Sequence, residues 1–414
     1  NEFNMSSKLR KGFAGKRGDK VRSDCYIEII PQKSGGLKID IASKVKPMFG
    51  ISIKKQITEM CAFFNLKNVQ VIIEDNGALP FVIAARFEAA VKRLNPAEVK
   101  EFLPPMLKSN LKKTSKDKLR RSRLYLPGNE PKFFPNAGLH KPDGIILDLE
   151  DSVSHSEKDS ARFIVRNALR AVDFYGCERM VRINQLPKGL DDLKYLIPHN
   201  VNLILIPKCE TGEQVFKTVQ EIKRIKTTNN IKNEIYVMPI IESALGVINA
   251  FEIASASQDV CALTIGLEDY TADLGTQRTF EGKESLLARS MIVNAAKAAG
   301  VQAIDSVFSD INDMDALKES ITEAKSLGFE GKGCIHPRQI QVVHETFAPG
   351  NEEIEKAKQI VIAFEEAEKK GLGVVSLGSK MIDAPVVKRA HKTIEMALLN
   401  KKITKNWKNE INKK

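Results

Sequence analysis

Ten polar residues stand where short apolar runs of this sequence end: Asp148, Glu150, Asp151, Arg182, Asn184, Lys208, Glu242, Asp269, Asp305 and His336. Six are carboxylates, one is an arginine, and the set holds no cysteine and no pair of histidines. Such a set suits a hard divalent cation, which takes carboxylate oxygens and leaves positions open for substrate oxygens, so Mg2+ is the expected cofactor. Arg182 adds a fork that is always charged and can hold a carboxylate or steady an enolate oxygen. Its structural alternative is an ion pair with Asp148 or Glu150. Glu242 and Asp269 lie 27 residues apart, about one helix and strand with their loops, which puts both on one rim. For these two the alternative is a salt bridge or a helix cap. His336 could close a loop or touch a substrate, and the lone cysteines are expected to be ordinary buried residues.

The elements that must position these groups are eight apolar runs: 124–126, 144–148, 180–183, 203–206, 235–238, 262–265, 302–305 and 333–335. Alternation with amphipathic stretches marks β/α units and a parallel sheet. Eight units in about 230 residues fit a closed (β/α)8 barrel, and no GxGxxG follows an early strand. Residues 122–350 are read as this TIM barrel, whose active groups belong at the C-terminal ends of the strands. Residues 351–414 form a C-terminal helical arm with Gly371, Gly373 and Gly378 spaced along it and a basic tail. Residues 5–94 read as a small α+β domain, with strands over 26–31, 37–41 and 69–74 and helices over 51–64 and 84–94. Residues 95–121 are basic, carry three prolines and read as a linker, while 1–4 precede Met5 and are taken as a cloning remnant.

The 414 residues, 43% of them hydrophobic, can bury a large core and exclude a disordered chain. Six scattered cysteines without a CxxC pair indicate neither a zinc site nor a disulfide framework and predict a reducing compartment. No apolar run approaches 18 residues and no signal peptide is evident, so a soluble, cytoplasmic protein without membrane association is expected. The net charge of +12 is concentrated in residues 1–121, which hold 25 Lys and Arg against 12 Asp and Glu. Nucleic-acid binding is weighed on that footprint and set aside, because the front third has no recognised motif and no interleaved aromatics.

The segments SRLYLPGNEP, ILDLEDSV, VRIN, PIIESALG, GLEDYTADLG, GKGCIHPRQI and GLGVVSLGSKMIDAPVV occur in that order. Together they resemble the citrate lyase beta subunit and the HpcH/HpaI aldolase family. That resemblance implies a Mg-dependent lyase cleaving a carbon–carbon bond in a 3-hydroxyacyl thioester, citryl thioester to oxaloacetate and acetyl thioester in citrate lyase. Malyl-CoA or citramalyl-CoA, as free coenzyme A thioesters, are the alternative substrates. It further implies Glu242 and Asp269 as metal ligands, with Glu268 a competitor for the second, and Glu242 and Arg182 at the substrate. Asp148, Glu150 and Asp151 would support the metal or its waters. Asp383, in MIDAP, would be the acid that enters a neighbouring subunit's site, in a homotrimer or hexamer. VKPMFG and VIIEDNGALPFVIAARFEAA are similar to the citrate lyase gamma subunit, an acyl carrier. This second likeness implies a covalent phosphoribosyl-dephospho-coenzyme A arm on Ser23 and a citrate lyase alpha transferase subunit as partner.

Overall fold

The computed structural model describes residues 11–369, 371, 374–377 and 380–408. Residues 1–10, Gly373, Gly378 and the tail from 409 lie outside the described residues, including the expected cloning remnant and the start of the leading unit at residue 5. Among the described residues no helix is long and apolar enough to cross a membrane.

The leading unit is a four-stranded sheet of β1 (Gly12–Gly15), β2 (Cys25–Pro31), β3 (Leu37–Ser43) and β4 (Val69–Asp75), with helices α1 (Lys46–Phe63) and α2 (Pro80–Leu94). Its order is β1-β2-β4-β3, so β4 lies between β2 and β3, and residues 33–36 do not close a hairpin. The short, glycine-bounded β1 has no counterpart in the sequence reading. Helix α2 starts four residues before the expected Ala84, on Pro80, whose fixed φ suits a first helical position. Residues Phe81–Val91 of α2 are all buried. Such a helix is covered on every side, and here the second cover is the barrel.

The barrel closes in the order β5 to β12: Ser122–Pro127, Gly144–Asp148, Glu178–Arg182, Leu203–Ile206, Tyr236–Ile241, Ala262–Ile265, Gln302–Asp305 and Gly331–Cys334. Every pairing in it is parallel. Alternate side chains, among them Ile146, Met180, Leu203, Met238 and Ile304, fill the inside as a separate apolar cluster. The outer cluster runs without a break from the leading sheet through the barrel wall.

Polar contacts fix the same junction. Arg86 of α2 forks onto Asp24 at 2.6 and 3.0 Å and donates to Ser160 Oγ at 3.2 Å on helix α3 (Lys158–Ala171). Arg166 of α3 returns the contact to Glu88 at 2.7 and 3.0 Å, with both side chains fully buried. The segment 95–121 is a strap rather than a free linker. Leu107 N–H donates to the Arg170 carbonyl at 2.8 Å, and buried Asn110 donates to the carbonyls of Leu169 and Val172 at 3.0 and 2.7 Å. Truncating one member of a buried pair strands the other, so Arg86→Leu is expected to cost about 3–5 kcal/mol in denaturant melts. Arg86→Leu with Asp24→Leu should cost much less. Equal losses would show that the pair does not carry the junction.

The arm holds a helix over Asn351–Lys369, a two-stranded ribbon of β13 (Val375–Leu377) and β14 (Lys380–Ile382), and a helix over Ala384–Leu399, packed around their own apolar cluster. It meets the barrel at the N-terminal strand ends, where Asn400 accepts from Arg121 and Lys392 lies 3.6 Å from Glu330. At this end His199 is buried with Nδ1 3.1 Å from Arg170 Nη1, and burial, then Arg166 and Arg170, push its pKa down to about 3. The unfolded imidazole takes up a proton near pH 6.5 that the folded one refuses. Stability is therefore present above about 6.5 and lost as pH falls towards 3, by up to about 1.4 kcal/mol per pH unit. His199→Gln should flatten that slope in urea melts across the window, and an unaltered slope would show that His199 is not its source.

Candidate active site at the barrel mouth

The C-terminal strand ends surround a cavity of about 500 Å³ lined by Arg123, Asp148, Arg182, Glu242, Asp269 and their neighbours. Asp148 ends β6 and Arg182 ends the adjacent β7, so pairing in register brings them together. Arg182 donates from Nε and Nη2 to the two Asp148 oxygens at 2.7 and 2.8 Å. Its Nη1 lies 3.0 Å from Glu150 and 3.6 Å from Asp151. The amides of Glu150 and Ser152 also donate to Asp148, folding the loop over its carboxylate. Burial opposes the Asp148 charge, yet the Arg182 fork and these amides hold its carboxyl below the usual range. Burial and the neighbouring Asp151 raise Glu150. The ion-pair alternative for Arg182 is thus present, and all three loop carboxylates take part in it.

Glu242 follows β9 and is buried, with Oε1 accepting from the backbone N–H of Lys208 at 2.7 Å. Lys208 has φ +46°, a left-handed turn at the end of β8. Gly266 leaves room on the other side, since a Cβ there would stand 2.6 Å from Glu242 Oε2. Among the described residues no cationic side chain pairs with Glu242. Burial raises it to about 8, and Asp269 across the cavity adds to the rise. Asp269 sits in the first turn of the helix Leu267–Asp273, 43% exposed, with Lys208 Nζ at 3.7 Å. The same Nζ lies 3.3 Å from Glu150 and 3.6 Å from Asp151, so Lys208 ties the two acidic groups of the rim together.

A buried carboxylate without a cation, facing a second carboxylate across open space, fits a divalent metal ion. Among the described residues no three His, Cys, Asp or Glu side chains converge, so such an ion would complete its shell with water and substrate oxygens, as magnesium does. Glu242 and Asp269, which line one cavity, would be the residues to hold it. Glu268 also lines the cavity and pairs with Arg278 at 2.7 Å.

The remaining candidates separate. Asp305 is buried against Lys332 at 2.7 Å and Arg289 at 3.2 Å, Asn184 bonds Asp192, and His336 Nδ1 accepts from the Arg338 amide within its own turn. All six cysteines are buried and free, with Cys209, Cys261 and Cys334 pushed by burial up to about 12. Asp383 caps its helix through the Val386 amide at 3.2 Å and does not line this cavity. Ser23 lies on the leading unit at φ +53°, its amide bonded to the Asn76 carbonyl. The segment around it faces the mouth end of the barrel, because Lys16 pairs with Glu130 after β5 and Arg86 approaches Glu157 after β6 at 3.7 Å. Arg123, Gly266 and the amide of Lys208 had no role in the sequence reading. The signal for Arg123 was an arginine inside the apolar run of β5.

Residues 121–337, more than half of the chain, match the family model HpcH/HpaI aldolase/citrate lyase. The chain belongs to that family. Residues 17–94 match the model described as malonate decarboxylase delta subunit, an acyl-carrier type. Citrate lyase subunit beta of Leuconostoc mesenteroides subsp. cremoris is 41% identical over 69% of this chain and 95% of its own length. Human mitochondrial citramalyl-CoA lyase is 32% identical over 67% of this chain and 85% of its own. Among solved structures, CitE from Mycobacterium tuberculosis in complex with magnesium, acetoacetate and coenzyme A superposes with a TM-score of 0.57 at 29% identity, covering 68% of this chain and 99% of that one. The family makes this chain a lyase.

Proposed function

We propose that the chain cleaves a citryl thioester to oxaloacetate and an acetyl thioester, with Glu242 and Asp269 holding Mg2+. The observation that carries this reading is the buried, uncompensated Glu242 facing Asp269 beside Arg182, in a chain 41% identical to a citrate lyase beta subunit. When bound, the ion would acidify the tertiary hydroxyl and stabilise the keto acid as it forms. The hydroxyl passes its proton to a base or water, the carbinol carbon becomes the ketone as its bond to the thioester α-carbon breaks, and that electron pair moves onto the α-carbon as an enolate. Arg182 has five N–H donors; two engage Asp148, and Nη1 lies 3.0 Å from Glu150 as an ion pair, which leaves N–H groups for the enolate oxygen. Asp148, Glu150 and Asp151 hold that guanidinium in place. Asp383 of a neighbouring subunit protonates the α-carbon, in a homotrimer or hexamer.

Ser23 would carry the phosphoribosyl-dephospho-coenzyme A arm, loaded by a transferase subunit of the citrate lyase alpha type. The matching carrier model over residues 17–94 supports this role. The second reading, cleavage of free citramalyl-CoA or malyl-CoA, is favoured by the human relative. Parallel assays of oxaloacetate from citryl thioesters and of pyruvate from citramalyl thioesters test the choice. Oxaloacetate release as the faster reaction supports the proposal, and pyruvate release alone overturns it. A prosthetic mass on wild type but not on Ser23→Ala, produced in cells able to make the arm, tests the attachment.

A further inference from the structure

Two guanidiniums line the cavity, and they differ in one respect. Arg182 is saturated on one side by Asp148 and Glu150, whereas Arg123 has no carboxylate against it. Arg123 sits on β5 deeper than the rim and is 1% exposed. Its Nη1 meets the sulfur of Met238 at 3.1 Å, and its Nη2 meets Thr264 Oγ1 at 3.2 Å and the Asp305 carbonyl at 3.4 Å. Its Nε has no partner. The Asp305 carboxylate is already shared by Lys332 and Arg289.

A buried cation with a thioether, a hydroxyl and one long carbonyl contact for acceptors is poorly compensated, and stranding a charge in a protein interior is costly. Burial accordingly lowers the pKa of this guanidinium. Among the described residues no anion compensates it, and it lines the cavity of the site, so a ligand can supply one. In a citryl thioester the hydroxyl and the tertiary carboxylate would seat at Glu242 and Asp269, and the thioester would point to the mouth where its carrier enters. One carboxylate remains, on the other methylene arm, directed inward.

We propose that Arg123 forms an anionic subsite at the floor of the cavity that receives this carboxymethyl group, and so selects acyl substrates bearing it over those with a methyl or hydrogen there. The inference rests on the proposed seating of the carbinol at Glu242 and Asp269. Its test separates the two. Oxaloacetate carries the carboxylate in question and pyruvate lacks it, so calorimetric binding of both to the Mg-loaded chain reads the subsite without turnover. Arg123→Met is expected to weaken oxaloacetate by about a hundredfold or more, the scale of truncating one partner of a buried charge pair, with pyruvate affinity moved by far less. The citryl-to-citramalyl ratio of kcat/KM should fall by a similar factor. Replacing an unpaired buried ion by an apolar side chain favours folding. Arg123→Lys, which keeps the charge and loses the fork, reads the same difference at intermediate size if the methionine variant does not fold. Equal weakening of oxaloacetate and pyruvate, or undiminished oxaloacetate binding, overturns the subsite. A wild-type chain that fails to cleave citryl thioesters overturns the substrate reading alone, because the two-ligand binding comparison still decides Arg123.

Discussion

Glu242→Gln and Asp269→Asn should each lower turnover by about a thousandfold or more while leaving the barrel folded. Each removes one of the two carboxylates proposed to hold the ion, and a bound metal contributes several kcal/mol of transition-state stabilisation, about tenfold in rate for each 1.4 kcal/mol. A second measurement needs no turnover. Magnesium that binds only the folded chain raises its stability, by about 2.7 kcal/mol at a hundred times its Kd. The wild-type melting temperature should therefore climb with added magnesium and return on chelation, whereas neither variant should respond. Without metal, Glu242→Gln should melt no lower than wild type, since burial raises Glu242 to about 8 and the neutral amide stands in for a carboxyl already largely protonated at neutral pH. Near wild-type turnover, or an intact magnesium shift, in either variant would strike that residue from the metal site.

Asp383→Ala and Glu242→Ala are each expected to be inactive, and co-refolded mixtures of the two should regain partial activity. The arm is anchored at the N-terminal ends of the barrel strands through Asn400 and Lys392, and Asp383 does not line its own chain's cavity. In the proposed reaction the proton for the enolate carbon comes from Asp383 of another copy, and some interfaces of a mixed oligomer would then pair an intact metal site with an intact Asp383. Mixed oligomers, verified by mass, that stay as inactive as their parents would confine Asp383 to capping its helix.

What the sequence showed of this molecule follows from where its physics is local. Barrel strands such as Leu203–Ile206 are covered on both faces and read as unbroken apolar runs, so they and the polar groups at their ends stand out. Arg182 and Asp148 are neighbours because parallel strands β6 and β7 pair in register, which the order of the runs already implies. The role of Lys208 escapes because its contact with Glu242 is made by a backbone amide, whose direction depends on a left-handed turn. The strap around Leu107 and Asn110 escapes for a related reason: it is held by hydrogen bonds to backbone carbonyls, which leave no periodicity in the side chains. Arg123 did not stand out, since whether a strand residue faces the barrel axis or the helices is set by register.

The docking of the leading unit through Arg86, Glu88 and Arg166 fixes the distance between anything attached near Ser23 and the barrel mouth. For a thioester carried there, that distance acts as a concentration. A short tether presents its end at an effective concentration in the millimolar range, whatever the concentration of protein. Turnover of a carried substrate should then be first order per chain and insensitive to dilution for as long as the oligomer survives, whereas the same acyl group on free coenzyme A must be captured from solution and will show an ordinary KM. Single-turnover rates measured over a hundredfold range of dilution would distinguish the two regimes, and a carried substrate that slows in proportion to dilution would show that it is being delivered between oligomers.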